Sequence, residues 1–130
     1  MTVKVSFNED TSILAVSGRG QVLRREAGWV AERSAELMRA HPVGGVLLDC
    51  FAIQQQTSPA LSAEMISEFV ATIETVVPIA YVRSESWNPE YCQRVLASLD
   101  HLPDNARVFL QTDLAEDWLH AEVAKPATTV

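Results

Sequence analysis

The segment from Val46 to Leu61 constrains the fold of this chain more than any other part. It begins with a largely apolar run over 46–53, which is too short for a helix and is typical of a strand covered on both faces. A polar loop over 54–57 follows. Ser58 and Pro59 then predict a helix start, because serine can cap the first turn and proline needs no N–H at the first helical position. In open α/β sheets, ligands bind where such strands end. The segment therefore predicts where a site would lie.

The rest of the chain alternates between strand and helix patterns. Strands are predicted at 2–7, 12–17, 46–53, 78–82 and 107–111, and helices at 24–41, 59–74, 89–99 and 113–123. The first two strands are joined by a short polar turn and predict an antiparallel hairpin. The later alternation predicts parallel crossovers. We therefore expect an α/β fold with a mixed, mostly parallel five-stranded sheet and about four helices, in the order ββαβαβαβα. A single domain is expected over 1–124, followed by a flexible C-terminal tail over 125–130.

Composition restricts the class of protein. With 130 residues, of which 48% are hydrophobic, the chain can build one packed core. Its net charge of -7 disfavours nucleic acid as a partner, because a phosphate-binding surface needs to be basic. We see no signal peptide, and no apolar run approaches the length of about 20 residues that spans a bilayer. A cytoplasmic protein without a membrane span is the expectation.

The side chains that carry most enzymatic chemistry are few and scattered. Catalysis needs a nucleophile, a base and an orienting group that converge. His41, His101 and His120 fall outside the loops predicted at the carboxyl ends of the strands. Cys50 and Cys92 are expected to be reduced core thiols, and no Cys and His spacing is typical of a metal site. We therefore predict no catalytic residues, no metal and no cofactor, and a protein that is not an enzyme.

The loops after the parallel strands should gather a polar set of side chains at one edge of the sheet. This candidate binding set is Arg19, Gln54, Gln55, Gln56, Thr57, Ser58, Arg83, Trp87 and Asn88. Arginine and tryptophan suit a protein-docking surface, and the amides suit a small ligand. The same residues could also form a solvated rim of helix caps. Trp29 and Trp118 have two alternative roles: they form an exposed aromatic patch that favours a homodimer, or they cover the edges of the core.

The chain resembles the STAS/SpoIIAA-like superfamily in its order of elements and in four segments. It is most similar to the bacterial STAS/SEC14 (SpoIIAA-like) small proteins, many of which have no known function. The segments that carry the resemblance are Ser12–Gly20, Leu48–Leu61, Ala80–Trp87, and a fourth made of 107–109 followed by 115–119. The resemblance covers nearly the whole chain and implies a regulatory or binding module that acts through protein contacts. Its SEC14 side implies an alternative, a carrier of a small ligand or lipid, although so short a chain leaves little core to line a cavity.

The resemblance also bears on regulation by phosphorylation. STAS proteins that counter anti-sigma factors begin the second helix with a motif like Asp-Ser-Ser-Gly-Leu, in which one serine is phosphorylated. Here the motif falls on 57–61, and Pro59 occupies the acceptor position. Ser58 and Thr57 remain the candidate phosphoacceptors, because a phosphate at a helix N-terminus meets free N–H groups. The alternative role of Ser58 is that of a helix cap.

Overall fold

A computed structural model of the chain describes residues 3–54, 58–73, 76–84, 86–98 and 105–124. Its strands are β1 (Val3–Asn8), β2 (Ile13–Gly20), β3 (Gly45–Ile53), β4 (Ile79–Val82) and β5 (Ala106–Phe109). Its helices are α1 (Arg24–Ala40), α2 (Pro59–Ile73), α3 (Pro89–Ser98) and α4 (Thr112–Ala124). The predicted order of elements is therefore confirmed. The predicted tail over 125–130 lies outside the described residues.

The five strands form one sheet in the spatial order β1-β2-β3-β4-β5. β1 is antiparallel to β2, and the other neighbours are parallel, as predicted. At the hairpin turn, the Asn8 side-chain oxygen accepts the N–H of Asp10 at 2.9 Å, and Ser12 has a φ of 60°. Because β2 to β5 run in one direction, their last residues and the loops that follow share one side of the sheet. We call this side the carboxyl edge.

Helices cover the two faces of the sheet unequally. On the first face, α1 and α2 pack over a large core, and α3 packs beside α2. That core is built from buried residues of every strand from β1 to β4 and of both helices: Val3, Leu14, Val16, Val46, Leu48, Ile79, Tyr81, Val30, Ala31, Phe69 and Ile73. On the second face, α4 alone packs against β3, β4 and β5, through Ala115 and Leu119. The sheet is thus more deeply covered on the first face.

β2 is longer than the sequence predicts. The prediction ended this strand at 17, because Gly18-Arg19-Gly20 looks like a break. In the structure β2 continues to Gly20, which pairs with Ile53 of β3. The register shifts here, because β2 advances from Ser17 to Arg19 while β3 advances from Asp49 to Ala52, so the extra residue of the bulge lies in β3 and Gly18 does not end β2. The prediction was wrong here because pairing with β3 holds the segment extended.

The start of α4 also differs from the prediction. Asp113 followed by Glu116 resembles a capping box in the sequence, which is why the helix was predicted from 113. The helix instead begins at Thr112, and the N–H of Ala115 bonds to the carbonyl of Gln111 at 3.2 Å. Asp113 therefore lies in the first turn, where its charge still complements the helix dipole.

No helix within the described ranges is both long and apolar enough to cross a membrane.

Candidate functional site

The structure places the described members of the predicted binding set at the carboxyl edge. Arg19 and Gln54 are exposed at the ends of β2 and β3, and the backbone N–H of Gln54 donates to the carbonyl of Gly20 at 2.7 Å. Ser58 precedes α2, and the remaining three follow β4. Gln55, Gln56 and Thr57 lie outside the described residues. The described members of the set therefore share the carboxyl edge, for which the sequence left both a binding role and a helix-capping role open.

Two of the predicted binding residues are helix caps. The Ser58 hydroxyl accepts the N–H of Leu61 at 3.3 Å at the start of α2. The Asn88 side-chain oxygen accepts the N–H of Glu90 at 2.9 Å at the start of α3. Both bonds satisfy N–H groups that a helix start leaves without partners.

Arg83 is turned towards α3. Its side chain is half-buried, and Nη1 donates to Cys92 Sγ at 3.2 Å and to the Ser84 carbonyl at 3.5 Å. Its Nε is buried and has no partner among the described residues. The guanidinium is therefore committed to the contact between the β4–α3 loop and α3.

Trp87 connects two strand ends. Its indole Nε1 donates to the Ile53 carbonyl at 3.0 Å, which ties the loop after β4 to the last residue of β3. Tryptophan buries a large apolar ring while its N–H finds a partner. Of the predicted binding residues that the structure describes, Trp87 alone lines the cavity described next.

A cavity of about 100 Å³ lies on the first face, beneath the carboxyl edge and between the N-terminal parts of α1 and α2. It is partly open to solvent, and we call it the edge cavity. Its lining is mostly aliphatic and aromatic: Val3, Val16, Ser17, Val22, Ala27, Val30, Leu48, Asp49, Cys50, Ile53, Ser62, Met65, Ile66, Phe69, Tyr81 and Trp87. From the sequence, so short a chain was expected to have little core to spare, and a cavity of this size was therefore not predicted.

Small side chains explain why the edge cavity is not filled. Ala27 of α1, Cys50 of β3 and Ser62 of α2 all line it, and each is smaller than the valines, leucines and isoleucines around it. Protein interiors otherwise pack at high density, so three small residues facing one space leave room. Small residues at core-facing positions near two helix starts are the sequence signal that could have indicated the cavity.

The wall of the edge cavity carries little charge. Asp49 contributes to the lining, but its carboxylate accepts the N–H of Phe51 at 3.1 Å and the hydroxyl of Thr112 at 3.3 Å. Thr112 belongs to α4, which packs on the second face, so this carboxylate is already engaged there. No histidine, lysine or arginine is among the described lining residues. Such a wall suits a neutral, apolar molecule.

The Cys50 thiol is held in its neutral form. The side chain is half-buried, and burial, with a smaller contribution from the neighbouring Asp49 charge, raises the pKa of Cys50 to about 12. A thiolate is the nucleophilic form of cysteine. Cys50 therefore serves as a polarizable, uncharged part of the wall.

An ion pair joins the two helices beside the edge cavity. Arg24 Nη2 lies 2.5 Å from Glu64 Oε1, and both side chains are more than half exposed. Arg24 opens α1 and Glu64 lies in the second turn of α2, next to lining residues of both helices. The Arg24 guanidinium, through its hydrogen bond and charge, lowers the pKa of Glu64 below its usual value.

The described histidines stand apart from the edge cavity. His41 stacks on Phe7 with ring centroids 4.7 Å apart, and His120 is exposed on α4. His101 lies outside the described residues. Within the described part of the chain, no group of three or more His, Cys, Asp or Glu could hold a metal ion.

Comparison of the chain with protein-family models, with curated proteins and with solved structures found no match. The structure itself defines the class: an α/β domain with a mixed five-stranded sheet and an apolar cavity at its carboxyl edge. The STAS/SpoIIAA-like resemblance stays a prediction from the sequence.

Proposed function

We propose that this protein is a non-enzymatic binding module that takes a small apolar molecule, or a short apolar part of a larger one, into the edge cavity. One observation carries the proposal: a partly open space of about 100 Å³ with a largely apolar wall lies where ligands bind in open α/β sheets. Cavities with apolar walls bind apolar molecules.

The size of the edge cavity limits the ligand. A cavity of about 150 Å³ lined by aliphatic and aromatic side chains binds benzene. The edge cavity, at about 100 Å³, is smaller, so the chain it holds has fewer carbons than benzene, at most about five. A whole long-chain lipid does not fit inside. The carrier alternative is therefore narrowed to a short-chain ligand, or to a longer one whose remainder lies outside the opening.

The chemistry of the wall supports binding without catalysis. Cys50 is the nucleophilic residue type best placed in the edge cavity, and its raised pKa keeps it protonated. A nucleophile needs a neighbouring base; no histidine or lysine is among the described lining residues, and the Asp49 carboxylate is engaged by Phe51 and Thr112.

Calorimetric titration with 1-pentanol tests the proposal. Burying five carbons at about 0.8 kcal/mol each gives about 4 kcal/mol, so the tightest Kd expected is about 1 mM, before the cost of immobilising the ligand. Ala27→Leu should abolish this binding, because the larger side chain fills the edge cavity from α1. Ala121→Leu is the matched control, since Ala121 is exposed on α4. Absence of saturable binding to the wild type, or equal binding to the Ala27→Leu variant, would contradict the proposal.

Docking of a protein partner at the carboxyl edge, the role implied by the STAS resemblance, is the second candidate. It is favoured by Phe51, which is 46% exposed near the end of β3, and by Arg19, which is exposed on the neighbouring strand. Exposed aromatic and arginine side chains often dominate binding surfaces. A pull-down from the native host should lose its partner with Arg19→Ala/Phe51→Ser, while 1-pentanol binding is retained. If the wild type and the variant recover equal amounts of the partner, docking at the carboxyl edge is ruled out.

Three further predictions from the sequence are proposals about phosphorylation, dimerisation and location. Ser58 and Thr57 are still the candidate phosphoacceptors, although the Ser58 hydroxyl caps α2. A homodimer draws support from Trp29, which is 42% exposed, but not from Trp118, which packs against Phe109. A cytoplasmic location rests on the sequence alone.

A further inference from the structure

We infer that Trp87 sets the upper limit on ligand length in the edge cavity, and so makes the protein selective for short apolar chains. This inference rests on the proposed function, and it names the residue that decides which apolar ligands are accepted.

The indole of Trp87 is held from two sides. Its Nε1 donates to the Ile53 carbonyl at 3.0 Å, and Ile53 itself belongs to the wall of the edge cavity. The ring also packs, as Ile66 does, against the small buried cluster of Ala63 and Cys92, where α2 meets α3. The indole therefore fills the space between the edge cavity and the contact of α2 with α3.

Other parts of the wall limit length less effectively. Met65 is an unbranched thioether side chain that can change conformation to fit a ligand. Leu48 and Tyr81 form the floor on the sheet, and both are buried in the main core. The Trp87 ring is rigid and is fixed by a hydrogen bond, so it cannot change conformation as Met65 can. Replacing it with a smaller side chain adds the vacated volume directly to the edge cavity.

The test is a chain-length series of linear alcohols, from 1-propanol to 1-octanol, titrated into each variant by calorimetry. For the wild type, affinity should rise by about fourfold per methylene and stop rising near five or six carbons. With Trp87→Leu, the rise should continue for at least two further carbons. Trp118→Leu is the matched control, because that indole packs against Phe109 on the second face, with ring centroids 5.6 Å apart. Its profile should equal that of the wild type.

Failure of the inference and failure of the proposed function give different results. If the wild type binds short alcohols but Trp87→Leu stops at the same chain length, Trp87 does not set the limit. If the wild type binds no alcohol, the proposed function itself is wrong. Circular dichroism verifies the fold of each variant. If Trp87→Leu does not fold, Trp87→Phe takes its place in the test. The phenylalanine ring is smaller and lacks the N–H donor, so it should extend the upper limit on chain length by at least one carbon. An unchanged limit would overturn the inference.

Discussion

At the scale of single residues, Cys50 is the most direct reporter of the edge cavity. Its thiol forms part of the wall, and burial raises its pKa to about 12 from the ordinary value of 9.0. At pH 8 the thiolate fraction is then smaller by about three orders of magnitude than in an unfolded chain. In a Cys92→Ala background, iodoacetamide should therefore alkylate the folded protein at least a hundredfold more slowly than the protein in urea.

The same shift has a defined effect on stability. Between pH 9 and about 12, the unfolded chain loses the Cys50 proton while the folded chain keeps it, so the free energy of unfolding should fall as the pH rises. Cys50→Ala removes this dependence and is the control. Alkylation of the native protein at the rate seen in urea would show that Cys50 is not enclosed as described.

The sequence predicted individual residues well where the relevant contact is local. Ser58 and Asn88 were expected at helix starts, and each caps a helix through a backbone group two or three residues away. Arg83 and Trp87 were expected at the same edge, and Arg83 bonds to the nearby Ser84 and Cys92, whereas the partner of the Trp87 indole is remote in sequence. The Trp87 indole bonds to Ile53, 34 residues earlier, and such a contact depends on how strands and loops align in space.

At the scale of elements, the contact between α4 and β3 depends on a glycine. A Cβ atom on Gly45 would lie 2.9 Å from Leu119 Cδ1 and from Val123 Cγ2. Gly45→Ala should therefore push α4 away from the sheet and lower the free energy of unfolding by about 1–3 kcal/mol. Gly28→Ala in α1 is the matched control, because nothing lies within 4 Å of its added Cβ.

Gly28→Ala should instead raise the free energy of unfolding by about 0.5–1 kcal/mol, since glycine is unfavourable within a helix. Urea denaturation of the two variants gives both values. If both variants changed the free energy of unfolding by the same amount and in the same direction, this would contradict the close packing of α4 on Gly45.

Element boundaries show what a local pattern leaves out. The extension of β2 through Gly18, Arg19 and Gly20 follows from pairing with β3, across a bulge that no local preference predicts. The start of α4 at Thr112 accompanies the bond from the Thr112 hydroxyl to Asp49, a residue of another strand. Both corrections arise from partners distant in the chain.

At the scale of the whole molecule, the fold could be predicted because strand and helix patterns alternate clearly along the chain. The order of elements, the hairpin and the parallel sheet follow from that alternation together with the general rules of chain connection. The edge cavity could not be predicted in the same way. It exists because the small side chains of Ala27, Cys50 and Ser62, from three separate elements, face the same space.

The remote origin of the lining residues explains why the sequence indicated a polar surface where the structure has an apolar cavity. The loops suggested a polar surface, because their residues are polar in sequence. The space beneath them is apolar, because residues from the helices and strands that precede and follow those loops line it. The sequence thus indicated that polar loops meet at the carboxyl edge, but it did not indicate the apolar space beneath them.

The most direct test of ligand binding in the edge cavity uses the methionine methyl groups. The chain has three methionines, of which Met65 lines the edge cavity, Met38 packs against the main core elsewhere, and Met1 lies outside the described residues. With ¹³C-methyl-methionine labelling, titration with 1-pentanol should shift the Met65 NMR signal saturably and leave Met38 unchanged. Ala27→Leu should abolish the shift. An unmoved Met65 signal at saturating alcohol, or equal shifts at Met65 and Met38, would contradict the proposal that the edge cavity is a binding site.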